Sequence, residues 1–106
     1  MAPYIAILLF ESNSEGAPPL YREDTVLLYA DNEISARALA FEKARTEEGV
    51  TTNAHGATIT LTLKHVVDIS PCLSADLSQT ADLYSKHFRD YTSYARAEPL
   101  LDGEPL

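Results

Sequence analysis

Three histidines, one cysteine and six tyrosines are the side chains on which chemistry in this chain would have to rest. His65 is the first of them. In residues 57–70, Ala57, Ile59, Leu61, Leu63, Val67 and Ile69 alternate with Thr58, Thr60, Thr62, Lys64 and Asp68. Period-two alternation of this length marks a strand with one buried and one wetter face. His65 falls on the apolar face and is the only titratable group the pattern pushes inward. As a general base it would need a group to orient its ring and a cleft to work in. Asp68, three residues on, falls on the opposite face and is no direct partner within the strand. A core-edge histidine bonded to backbone or to a tyrosine hydroxyl is the simpler expectation.

The second constellation is aromatic. Tyr84, His87 and Tyr91 are spaced by three and four, and Tyr94 lies close to the same stripe. On a helix these residues share a face. Apolar rings with polar tips suit a surface that is part dry and part wet, either a partner interface or the wall of a site for a flat ligand. His65, Tyr84, His87, Tyr91 and Tyr94 are therefore the candidate ligand or partner contacts. His55, in Asn53-Ala54-His55-Gly56, reads as turn chemistry.

No catalytic residue is assigned. The histidines and Cys72 are widely spaced, with no HxxxH, CxxC or HExxH pattern, so no metal is expected. Cys72 follows Pro71 and has no basic neighbour in sequence to lower its pKa. No glycine-rich phosphate loop and no serine elbow occurs, and no cofactor is expected. The sequence leans away from an enzyme.

Charge narrows the partners. Sixteen acidic residues against eight basic ones give a net charge of −8. Such a chain repels nucleic acid and anionic membrane. Its electrostatic complement is a basic protein surface. Excess acid also serves solubility alone. The single cysteine allows no intrachain disulfide, which points to a reducing, cytoplasmic setting. Residues 4–10 (YIAILLF) are apolar but too short to span a bilayer, and lack the flanks of a signal peptide.

The positioning elements follow from pattern. Residues 4–10 carry apolar side chains for both faces, as in a central strand covered on both sides. Residues 11–19 (ESNSEGAPP) are a loop, and residues 21–30 a second strand, pairing with the first as an antiparallel hairpin. Asp31 or Asn32 caps a helix that runs to about Glu48, with Gly49 as its stop. Ile34, Ala38, Phe41 and Ala44 make its core stripe, with Leu39 and Ala40 beside it. Residues 50–56 are a connector to the alternating strand. From Leu77, the spacing of Ala81, Tyr84, Phe88, Tyr91 and Ala95 favours a helix, with an edge strand over residues 82–88 as the alternative. Residues 1–97 are thus expected to form one α+β domain, a small antiparallel sheet with helix packed on one face, followed by an irregular tail over residues 98–106. One helix covers only one sheet face. The C-terminal segment or a second subunit must cover the other, which makes a homodimer the expected state.

With these elements in this order, the chain resembles a bacterial family of small proteins, the domain-of-unknown-function family 4288. The likeness rests on the opening strand YIAILLF, on the second strand running through Leu28–Ala30 into ADNEISARALAFEKA, and on the connector Asn53–Gly56. Val66-Val67-Asp68-Ile69 and the late Leu83-Tyr84-Ser85 complete it. The resemblance implies a short bacterial cytosolic protein of α+β type. It brings no activity, cofactor or catalytic residue. Three functional expectations stand. The first is an acidic, cytoplasmic protein-interaction module acting as a homodimer, immunity-like or inhibitor-like by analogy only. The second is a small-ligand binder or minor enzyme, its groove between the sheet and the C-terminal helix. The third is a structural subunit of a larger assembly.

Overall fold

The computed structural model describes residues 1–98. Its elements in chain order are β1 (Ala2–Ser14), β2 (Leu20–Ala30), α1 (Glu33–Glu47), β3 (Gly49–Thr52), β4 (Thr58–Pro71) and α2 (Tyr91–Ala97). The four strands form one antiparallel sheet in the order β2-β1-β4-β3. This is the α+β fold expected, with one strand more than the sequence pattern showed. The irregular tail expected over residues 98–106 lies outside the described residues apart from Glu98.

β1 is central, as its two apolar faces require. Tyr4, Ala6, Leu8 and Phe10 join Ala30, Ala36, Ala40, Ala44 and Ile69 in the core beneath α1. Ile5 and Ile7 are also buried but stand outside that cluster, on the other face. The described chain available to cover them is residues 72–98. Tyr84 holds this arm on that face: its Oη donates to Asp68 Oδ2 at 2.7 Å, and Asp68 pairs with Ile7. A single chain therefore covers both faces of β1, and a second subunit is not required for that purpose.

α1 starts as expected. Ser35 N–H donates to Asn32 Oδ1 at 2.8 Å, and Glu33 sits in the favourable first turn. Two details differ. The helix ends at Glu48 in extended backbone, so Gly49 is the first residue of β3 and not a left-handed stop. The buried stripe is Ala36, Ala40 and Ala44, while Ile34 is 84% exposed and Leu39 and Phe41 are also exposed. Small side chains let the helix sit close to the sheet. The bulkier flank is left facing out.

β3 looks like connector in the sequence because its four exposed residues carry no burial pattern. It pairs through backbone alone, Gly49 with Leu61 through Thr52 with Thr58. Asn53 builds the turn between β3 and β4: its Oδ1 accepts from the N–H groups of His55 (2.9 Å) and Ala57 (3.0 Å), and Gly56 adopts φ 81°. Just before β3 begins, Glu48 Oε2 extends the contact with β4 and accepts from Leu63 N–H at 3.0 Å.

β4 corrects the alternating pattern. Its register against β1 shifts twice, between Ile7 and Leu8 and between Leu9 and Phe10. Each shift adds an unpaired residue to β4, Val67 and Lys64 respectively. The residues opposite the helix-side positions of β1 are therefore Leu63, Val66 and Ile69, spaced by three and not by two. His65 pairs with Leu9, so it lies on the face away from α1 and is exposed.

The C-terminal region is neither the long helix nor the edge strand expected. Residues 79–90 have no regular structure, and only Tyr91–Ala97 is helical. Short polar side chains hold the backbone in local turns. Asp76 accepts from Ser78 N–H, Ser78 Oγ and Gln79 Nε2, and Ser74 exchanges two hydrogen bonds with the backbone of Asp82. Such bonds compete with helix formation. The helix begins only at Asp90, whose carboxylate caps Ser93 N–H and Oγ. No described helix is long and apolar enough to cross a membrane.

Candidate functional site

The face of the sheet away from α1 has one side still open. β1 contributes Leu9 and Glu11 to it, β2 contributes Tyr21 and Glu23, and β4 contributes Lys64, His65 and Asp68. Against it lies the arm, with Lys86, Tyr94, Ala97 and Glu98. Between them runs a solvent-open groove of about 560 Å³, lined by Leu9, Tyr21, Glu23, Lys86, Tyr94, Ala97 and Glu98. It stands between the sheet and the C-terminal helix.

The sheet wall is held by ion pairing. Lys64 Nζ donates to Glu11 Oε2 at 2.8 Å and lies 6.0 Å from the centre of the Tyr21 ring. The Lys64 hydrogen bond, with one from Asn13, holds the Glu11 carboxyl below the usual carboxylate range. The same bond lifts Lys64 above the usual lysine value. Both stay charged across the neutral range. On the arm, Phe88 stacks on Tyr94 with centroids 4.8 Å apart and 21° between planes. The groove thus offers two tyrosine rings, two carboxylates and one ammonium, a set suited to binding. Among the described residues, no group of three or more His, Cys, Asp or Glu side chains converges as metal ligands would.

The five candidate residues are not brought to one place. Tyr94 lines the groove. His65 is a neighbour of the groove across from Leu9. The bulge at Val67 also turns Asp68 onto the His65 face, contrary to simple alternation, but the Asp68 carboxylate accepts from Tyr84. Among the described residues no hydrogen bond orients the His65 ring. His87 lines a separate shallow pocket of about 300 Å³ with Phe88 and Arg89, and Tyr91 is exposed at the start of α2. Tyr84, His87 and Tyr91 share no helical face, because residues 79–90 are not helical. Sequence reasoning passed over Tyr21, Glu23 and Lys86. The odd-numbered side of β2, Tyr21-Glu23-Thr25-Leu27-Tyr29, was the signal for the first two. Cys72 is partly buried, and burial pushes its thiol up, away from nucleophilic use.

Tyr84 is the latch of the arm. The hydrogen bond to Asp68, burial and the negative charges of Asp68 and Glu23 raise its phenol above the ordinary value near 10. A raised folded-state value means that this contribution is fully present below pH 10 and is lost as pH rises through the folded value. Tyr84→Phe removes one hydrogen bond to a carboxylate at a partly screened site, a loss of about 1 kcal/mol. The arm should then open about fivefold more often, read as faster tryptic cleavage after Lys86 and Arg89. Amide hydrogen exchange in the arm should also rise in the wild type as pH passes through the folded value of Tyr84, beyond the intrinsic increase seen in the phenylalanine variant. Equal cleavage rates in the two proteins would deny Tyr84 this role.

No curated protein and no solved structure matches the chain. A family model, the domain of unknown function DUF4288, matches residues 3–85. That span takes in the sheet from Pro3 onward, α1 and the Tyr84 latch, and stops before Lys86, Tyr94, Ala97 and Glu98 of the groove's outer wall. With most of its length inside this match, the chain belongs to the DUF4288 family.

Proposed function

We propose that this protein is a protein-interaction module that self-associates and takes a basic protein partner in the cytoplasm. The observation that carries the reading is the number of large apolar side chains left in solvent on regular elements: Ile34 and Phe41 on α1, and Leu20, Leu27 and Tyr29 on β2. Leu27 and Tyr29 lie on the sheet face away from α1 and Ile34 and Phe41 on the outer side of α1, so apolar side chains are offered to a partner on both layers of the fold. The net charge of −8 selects a basic partner over nucleic acid or anionic lipid. An inhibitor-like or immunity-like role fits the size and charge by analogy alone. Light scattering at micromolar concentration should return a species larger than the monomer. A pull-down should recover basic proteins at low salt and lose them at high salt. A clean monomer would reject the self-association, and capture indifferent to salt would reject the electrostatic partner.

A second reading, a small-ligand binder, is favoured by the groove beside Tyr21, Glu23, Lys86 and Tyr94. Fragments carrying a flat ring and a charged group should raise the melting temperature of the wild type, and Tyr94→Ala should abolish the shift. No shift from any such fragment would set this reading aside.

A further inference from the structure

We infer that the outer edge of β2 is the surface through which two copies join, pairing antiparallel about a two-fold axis at Thr25. The inference rests on the self-association reading and names its site.

β2 is an edge strand of eleven residues, paired with β1 on one side without any register shift. Among the described residues no strand lies on its other side. Proteins protect such edges by shortness, bulges, proline or charge. The opposite edge of the sheet is protected in this way. β3 has only four residues, and the part of β4 beyond it carries two bulges. β2 has no bulge and no proline. Its charges are spent elsewhere. Arg22 binds Asp24 through two hydrogen bonds of 3.1 and 3.0 Å, lies 4.8 Å over the Phe10 ring, and reaches Glu47 at 3.7 Å. Glu23 lines the groove. Leu20, Tyr21, Leu27 and Tyr29 remain exposed along the strand.

The sequence of β2 can pair with its own copy without conflict. Full overlap gives a seam of about 37 Å at ~3.4 Å per residue. In that register Thr25 meets the partner's Thr25, and Tyr21 meets the partner's Tyr29 twice about the axis. Glu23 faces the partner's Leu27, Asp24 the partner's Val26, and Arg22 the partner's Leu28. No like charges are opposed, and both the aromatic and the threonine pairs are among those that stabilise neighbouring strands. Centring the pair on Glu23 instead would set that carboxylate against its own copy. An isologous contact of this kind closes after two copies. Each copy carries a net charge of −8, so salt should strengthen the dimer by screening.

The test is cysteine cross-linking of the full chain in a Cys72→Ser background, alongside light scattering of the wild type across salt. Thr25→Cys should form a disulfide-linked dimer under mild oxidation, whereas Val50→Cys, exposed on β3, should not. Thr25→Lys, at an exposed position, should keep the monomer's circular dichroism and weaken the dimer about tenfold. A wild-type dimer that neither cross-links through Thr25→Cys nor weakens with Thr25→Lys overturns the β2 seam while leaving self-association standing. A wild-type monomer at low and high salt overturns both.

Discussion

Replacing Phe10 by alanine is expected to cost about 3–5 kcal/mol, read as a lower urea midpoint with an unchanged slope. Phe10 is fully buried and among the largest side chains in the core. It sits where β1, β4 and α1 meet, in the cluster with Leu8, Ala40 and Ala44 and opposite Leu63 of β4. Its loss leaves a cavity that three elements would have to close together. It also removes the ring under the Arg22 guanidinium, and with it a contact between β2 and the core. A domain of this size has about 5–15 kcal/mol of total stability, so the variant should be only marginally folded at room temperature. Phe10→Leu, which keeps most of the volume, should cost about 1.5 kcal/mol or less. If the alanine variant matched the leucine variant, the core would not be centred on Phe10.

Phe10 was legible in the sequence because β1 signals through both of its faces. A run such as YIAILLF has few alternatives to a central strand, and the central position of β1 follows directly. β4 was legible as a strand but not in phase. Nothing in the residue types of Lys64 and Val67 announces a bulge, yet the two bulges exchange which residues face α1. His65 entered as an inward histidine and came out exposed because of one unpaired residue before it. β3 gave no signal because its place depends on backbone pairing and on the Asn53 turn, not on burying side chains.

The candidate site was legible in its location more than in its residues. A groove between sheet and C-terminal helix follows from the need to cover the second face of β1. Its lining does not, because the arm over residues 72–90 is shaped by single side-chain hydrogen bonds around Ser74, Asp76 and Asp82, which have no periodicity to read. The spacing of Tyr84, His87 and Tyr91 is that of a helix. Local bonds from aspartate and serine prevailed over it, and the aromatic residues were dispersed between the latch, a shallow pocket and the start of α2.

The helix face supplies the second large effect, and here the residue sizes mislead. By bulk, Ile34 and Phe41 should be core and the alanines filler. The structure reverses this, with Ala36, Ala40 and Ala44 buried and Ile34 84% exposed. Ala40→Leu should therefore cost about 2–3 kcal/mol, the upper part of the range for overpacking a filled core. Helix propensity does not enter, since alanine and leucine are both strong helix formers. The added side chain would meet β1 at its most densely buried stretch and lift α1 from the sheet. The lift would be felt beyond the core, because the Glu48 bond to Leu63 N–H (3.0 Å) and the Arg22–Glu47 pair (3.7 Å) both depend on the height of the helix. Ile34→Ala, in contrast, should move the midpoint by no more than about 0.5 kcal/mol in stability while reducing the apolar surface offered to a partner. An unaltered midpoint for Ala40→Leu together with a strong loss for Ile34→Ala would mean that the bulky flank packs inward, and would remove the exposed α1 surface from the interaction reading.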